Sequence, residues 1–238
     1  MAYNEIDGVL LVDKPQGITS HDVVDRVRRC FNLKKVGHCG TLDPMATGLL
    51  VLVLGRSTKL SDRLISEDKE YEGTLCLGVA TDSQDADGEV VETRPVPDLR
   101  LEEIIQAAES FKGDIYQVPP MVSAKKIGGQ TLYKLARKGK EVEREPRLIH
   151  IYRLEFFDFV PPRVKFRLLC SKGTYVRTIC HDLGVKLGCG AHLCQLRRTA
   201  SGSLSLSEAK PLDEIVSLSL SGVRTLVKNP LDLQLPLV

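Results

Sequence analysis

The sequence lacks the features that would direct a chain to a membrane, to an oxidising compartment or to a nucleotide. Its longest apolar run, Leu49 to Leu54, is far too short to span a bilayer. The opening Met1-Ala2-Tyr3-Asn4-Glu5-Ile6-Asp7 has no basic region followed by an apolar stretch, so no signal peptide is expected. Cysteines number 7, an odd count without framework spacing, which argues for reduced thiols and a cytoplasmic location. No glycine-rich loop ends in Gly-Lys-Ser or Gly-Lys-Thr and no strand leads into spaced glycines, so the phosphate-loop and dinucleotide signatures are both missing. There is no internal repeat, no low-complexity linker and no excess of one charge, the net formal charge being +2.

What is present is an ordinary globular composition: 238 residues, 42% hydrophobic and 27% charged, enough to bury a substantial core. Charge is uneven along the chain. Basic residues gather between Lys125 and Arg147, among them Lys126, Lys134 and Arg137, a pattern that suits a phosphate backbone or a solvated helix. Gly8–Asp13 predicts a strand entering the turn Lys14-Pro15-Gln16-Gly17, and Ser20 is the expected cap of a helix burying Val23, Val24, Val27 and Phe31. Further strands are expected at Tyr71–Val79 and in a hairpin of Tyr152–Val160 and Val164–Cys170. Helices are expected through Leu101–Phe111 and Ile179–Leu187, and the segment after Pro211 is leucine-rich without periodicity. Strands outnumber helices and do not alternate with them regularly, which predicts an α+β fold with a mixed, mainly antiparallel sheet.

Three places carry candidate chemistry. Asp43 sits in the glycine-punctuated Gly37-His38-Cys39-Gly40-Thr41-Leu42-Asp43-Pro44-Met45-Ala46-Thr47-Gly48, just ahead of the buried run. Such a carboxylate is either a reactive group held against a rigid core or, with Pro44 behind it, a helix N-cap. Tyr71 stands at a strand entrance, where an aromatic could stack on a base. Arg177 lies at a strand-to-helix junction, where a cation near a carboxylate would keep it ionised. Cys180, His181, Cys189, His192 and Cys194 are too irregularly spaced for the usual paired zinc ligands, so buried thiols, surface histidines and no metal are expected.

Taken together the segments resemble the TruB family of tRNA pseudouridine synthases. The resemblance rests on the Gly37–Gly48 motif and, in the family's order, on Asp13-Lys14-Pro15-Gln16-Gly17, Lys69-Glu70-Tyr71, Thr81–Gly88, Val118–Lys126, Ser171–Arg177 and Leu196-Arg197-Arg198. It implies a pseudouridine synthase fold, a bent mixed sheet flanked by helices, and isomerisation of uridine to pseudouridine at position 55 in the T-arm of tRNA. It further implies Asp43 as nucleophile, Arg177 as its ionic partner, and Tyr71 as stacking residue and candidate proton acceptor. His38 would fill the space left by extruded nucleotides, Asp85 would organise the target base and Leu196 would wall the pocket. Lys14, Lys126 and Arg137 would contact RNA. The reaction needs no cofactor, and extrusion of the base is what such a pocket must support.

Two departures from the family pattern stand out. Val122 occupies a position that is commonly Tyr or Phe, and the chain ends at Val238, too early for a further RNA-binding domain of the PUA type. The expectation is therefore one catalytic domain over residues 1–238, with 121–147 as a basic RNA-clamping insertion and 211–238 as a short tail. It would act as a monomer on tRNA without an obligate protein partner. The alternatives are the guide-RNA-dependent branch of the same superfamily and a non-catalytic RNA-binding or RNA-folding protein that keeps the cleft.

Overall fold

Period-two burial and turn chemistry account for most elements of the computed structural model, which describes residues 3–121, 126–127, 130–131 and 142–233. Strand β1 (Gly8–Lys14) runs into the Pro15 turn, and helix α1 (Ser20–Cys30) follows. Its cap is Thr19 rather than Ser20: Thr19 is extended, its hydroxyl accepts from Asp22 N at 3.0 Å, and the Asp22 carboxylate accepts from Thr19 N at 2.8 Å. That reciprocal pair is a capping box. It frees Ser20, inside the first turn, for another task. Strands β2 (Val36–His38) and β3 (Thr47–Leu54) follow, then α2 (Ser61–Ser66) and β4 (Lys69–Leu77). Next come β5 (Val79–Thr81), β6 (Val90–Thr93), α3 (Leu101–Ala108) and β7 (Gly113–Gln117). Two-residue strands β8 (Lys126–Ile127) and β9 (Gln130–Thr131) precede the hairpin β10 (Arg147–Val160) and β11 (Arg163–Cys170). Helix α4 (Val176–Lys186), β12 (Ala191–Ser201), β13 (Leu204–Ser205), β14 (Lys210–Pro211), α5 (Leu212–Ser217) and α6 (Leu220–Leu226) complete the order.

The chain forms two compact units, one from Met1–Tyr71 with Arg197–Val238 and the other from Glu72–Leu196. In the first, β14, β1, β3 and β12 lie side by side, with β2 also paired to β3 and β13 to β12. The β1–β3 ladder is antiparallel from Gly8↔Leu54 to Lys14↔Gly48, whereas β12 joins β3 in parallel at Arg197↔Thr47 and Arg198↔Gly48. Alternate residues Val9, Leu11, Leu49, Val51 and Val53 share one apolar cluster with Cys39, Leu64 and Leu204, as period-two side-chain direction requires. Residues 48–54 are all buried, so this strand is covered on both faces and reads as an unbroken apolar run. The stretch after Pro211 holds two short helices, which bury Leu212, Ile215 and Val223. At 6 and 7 residues they are too brief to display a helical period.

In the second unit β4, β11, β10 and β7 lie in that order, mainly antiparallel, while β5 pairs with β6. The hairpin buries Ile149 and Ile151, then Leu154 and Phe156. The change of parity coincides with a register shift between Ile151 and Arg153, because one extra residue reverses which side chains face inward. Helix α4 is pressed onto the next strand at Gly184, where an added Cβ would collide with Ala191. Among the described residues no helix is long and apolar enough to cross a membrane. Of the basic segment, the backbone of Lys126 lies in β8, while Val122, Lys134 and Arg137 fall outside the described residues.

Candidate active site

Asp43 lies in a turn, not at a helix start. Residues 44–45 form the turn, Ala46 N donates to Asp43 O at 3.0 Å, and β3 begins at Thr47. The capping alternative for Asp43 therefore lapses, since no helix follows to be capped. The carboxylate-bearing residue is half-buried, between buried Leu42 and exposed Pro44.

The turn is held from several directions by residues with little sequence signal. Ser20 Oγ donates to Leu42 O at 3.0 Å and accepts from Leu42 N at 2.8 Å, binding both backbone polar groups next to Asp43. Gly17 N donates to Pro44 O at 2.9 Å. Lys14 is 0% exposed, and its Nζ donates to Pro15 O at 2.9 Å, Ile18 O at 2.7 Å and Pro44 O at 3.3 Å. The Lys14 ammonium is turned inward onto these carbonyls, and it joins the Pro15 turn to the Asp43 turn. Burying such a charge is costly unless hydrogen bonds replace water, as these do.

Arg198 is the counterpart at the ends of the loop. Wholly buried, it donates from Nε to Leu49 O at 2.7 Å and from Nη2 to Gly40 O at 3.1 Å. Arg197 reaches Asp13 Oδ2 at 2.6 Å and Thr47 Oγ1 at 3.3 Å. Gly48 has φ +98°, and an added Cβ would meet the Arg198 backbone, so only glycine permits β12 to approach β3 this closely. Lys69, also buried, donates to Ile65 O at 2.7 Å and Glu67 O at 2.5 Å. The result is a loop whose backbone is fixed before any ligand arrives, the condition for a precisely aimed side chain.

His38 and Cys39 share the loop but not its chemistry. Cys39 is buried, and burial pushes its thiol up to about 11, so it is an inert core residue. His38 is half-buried; burial, aided by the charge of Arg198, lowers its imidazole below the usual histidine value and keeps it neutral. Its Nδ1 is buried without a hydrogen-bond partner among the described residues. Tyr71 is 8% exposed, on β4.

In the second unit Asp85 and Arg177 form a buried ion pair. Asp85 Oδ2 and Arg177 Nη1 are 3.2 Å apart, with both side chains almost wholly removed from solvent. The other carboxylate oxygen accepts from Ser83 Oγ at 2.5 Å and Asp87 N at 3.2 Å. Removing one partner of such a pair costs about 3–5 kcal/mol, because the other charge is stranded. Around it, Thr178 donates to Gln84 Oε1 at 2.7 Å, and Gln117 clamps the Tyr175 backbone through bonds of 3.0 and 2.8 Å. The Arg177 guanidinium lies 5.9 Å from the Tyr175 ring centroid. Leu196 is half-buried on β12. Sequence reading paired neither Asp85 with Arg177 nor Lys14 with Pro44, and it missed Ser20 and Arg198 as supports. Their bonds run to backbone or over long separations, and neither kind leaves a periodic trace.

The chain is similar to known proteins over most of its length. The model described as TruB family pseudouridylate synthase, N-terminal domain, matches residues 28–176, and that of the tRNA pseudouridylate synthase B C-terminal domain matches residues 177–231. The protein named tRNA pseudouridine synthase B of Opitutus terrae is 60% identical over 216 residues, 91% of this chain and 90% of that protein. Its namesake in Syntrophotalea carbinolica is 51% identical over 210 residues, 88% of this chain and 69% of that protein. Among solved structures, a chain of a Cbf5-Nop10-Gar1 complex superposes with a TM-score of 0.73 at 30% identity. The alignment covers 93% of this chain and 59% of that one. A chain of an H/ACA RNP bound to a substrate RNA containing 2'-deoxyuridine gives 0.66 at 29% identity, covering 88% and 52%. The present chain thus spans somewhat more than half of each of those solved chains.

Proposed function

The chain belongs to the TruB family of pseudouridylate synthases, and from that premise we propose that it isomerises uridine to pseudouridine at position 55 in the T-arm of tRNA. The observation that carries the proposal is 60% identity over 90% of the length of a protein named tRNA pseudouridine synthase B. The similarity to Cbf5-containing structures stands at 30% identity, and this difference favours tRNA over guided targets. The non-catalytic reading has no observation in its favour.

The residue roles follow the family pattern. Asp43 is the nucleophile; its fixed turn supports this, since a carboxylate delivered by a rigid backbone loses little freedom on attack. The N1–C1′ bond of the uridine breaks, the base turns, C5 bonds to C1′, and the C5 proton leaves while N1 gains one, so nothing is oxidised or hydrolysed. Tyr71 stacks on the extruded base and takes the proton. His38, kept neutral, fills the space the nucleotide leaves, and Leu196 walls the pocket. Arg177 is the cationic partner of the reacting carboxylate, and Asp85 holds that guanidinium and through it organises the target base. Lys126 and Arg137 meet phosphates. The protein works on tRNA as a monomer in the cytoplasm, as one catalytic domain without cofactor.

The test is to incubate unmodified tRNA transcript with wild-type protein and with Asp43→Asn, mapping pseudouridine and measuring tRNA binding in parallel. The expected result is pseudouridine at one T-arm position with the wild type, and none with the variant although binding is retained. Product from the variant overturns the nucleophile assignment, and no T-arm product from the wild type overturns the substrate.

A further inference from the structure

The second unit contains a cluster for which the proposed reaction has no use. Cys76 on β4 and His192 and Cys194 on β12 place their ligand atoms within 4.8 Å of one another. His192 and Cys194 are two apart on one strand and so face the same side; Cys76 comes from the neighbouring strand. Sequence spacing drew attention to His192 and Cys194 but could not supply Cys76, which is far away along the chain.

The histidine is already oriented. Its Nδ1 lies 2.9 Å from Val79 O; a carbonyl only accepts, so Nδ1 carries the ring proton and Nε2 presents a bare lone pair. That lone pair points at Cys194 Sγ, 3.4 Å away. A backbone carbonyl fixing the second ring nitrogen is the usual outer support of a metal-binding histidine. In a tetrahedral site with bonds of about 2.3 Å to sulfur and 2.0–2.1 Å to nitrogen, neighbouring ligand atoms are about 3.5–3.8 Å apart. The separations here meet that spacing with adjustments of an ångström or less. Two thiolates and a divalent cation sum to zero charge, which suits a site with the Arg163 guanidinium close by.

We propose that Cys76, His192 and Cys194 form a binding site for one thiophilic d10 cation, zinc(II) in the first instance, with the fourth position left to water. The ion ties β4 to β12 and has no part in catalysis; binding releases the two thiol protons to solvent. Oxygen-loving cations such as Mg2+ are excluded by the ligand set.

The proposal is tested by titrating the reduced, metal-free full chain with Co2+ and then Zn2+. We expect one equivalent of Co2+ with a thiolate-to-cobalt charge-transfer band, its displacement by Zn2+, and a midpoint of thermal unfolding raised by about 5 °C in excess metal. Cys76→Ser and His192→Ala each lose the band and the shift, whereas Cys30→Ser, which alters an exposed cysteine outside the cluster, keeps both. If a variant fails to fold, Cys194→Ser and zinc-protected alkylation of the wild-type thiols, read by peptide mass, decide in its place. Absence of stoichiometric binding, binding that persists in Cys76→Ser, or recovery of the pair only as a Cys76–Cys194 disulfide overturns it.

Discussion

At the scale of single residues, the polar groups in and around the Asp43 loop act through restraint and charge state. Lys14 is the clearest case: an ion with 0% exposure that bonds to three backbone carbonyls. Lys14→Met keeps the length of the side chain but leaves those acceptors short of a donor. The expected cost is about 2–4 kcal/mol in urea unfolding, with turnover falling more than tRNA affinity because the Asp43 turn loosens while the RNA-facing surface is untouched. Equal loss of kcat and affinity would contradict a positioning role. His38 carries a different expectation. Burial lowers its folded-state value below that of the unfolded chain, so between the two values the unfolded chain holds the extra proton. Stability is therefore full above the unfolded value of about 6.5 and declines as the pH falls toward the folded value. His38→Gln removes this proton uptake, and its melting temperature should fall less than the wild type's between about pH 7.5 and pH 5.5. An identical fall in both proteins would show that His38 is not among the groups responsible.

At the scale of elements, the sequence announces what is periodic and conceals what is held by backbone contacts. The run Leu49–Leu54, the α1 face of Val23, Val24 and Val27 and the Pro161-Pro162 hairpin were all legible, because alternation, helical spacing and turn residues leave local marks. Thr19 took the cap from Ser20 because the box with Asp22 needs a spacing of three from the cap. Gly48 looked like one of several motif glycines, yet it alone faces the backbone of Arg198 at the parallel contact of β3 with β12. Gly48→Ala meets both an unfavourable positive φ and that collision, and should cost about 3 kcal/mol or more. Gly17→Ala is the control. It also has positive φ, +86°, but nothing lies within 4 Å of the new methyl, so only the backbone penalty of about 1–2 kcal/mol applies. Equal destabilisation of the two variants in denaturant titrations would remove the close approach as the reason for Gly48.

At the scale of the whole molecule, the question is which cations remain for RNA. The formal charge is only +2, with 33 Lys and Arg against 31 Asp and Glu, so no long-range field steers a polyanion to the protein. Many cations are already engaged: Lys14, Lys69, Arg177 and Arg198 are buried, and Arg28, Arg56, Arg94, Arg167 and Arg197 pair with nearby carboxylates. The exposed pairs add little stability, about 0–1 kcal/mol each, but they reduce the positive charge offered to phosphates. That directs attention to the segment around Lys126 and Arg137, where basic residues crowd together. If these two contact phosphates, Lys126→Ala and Arg137→Ala should each lower the slope of log affinity against log salt by about 0.7–0.9. The loss of affinity should be similar for every tRNA, since a phosphate contact carries no sequence information. Pseudouridine formation at saturating tRNA should be unchanged, because a contact made equally in the ground and transition states alters binding without altering kcat. A reduced kcat with an unaltered salt slope would instead move these residues from the phosphate backbone to the reacting nucleotide.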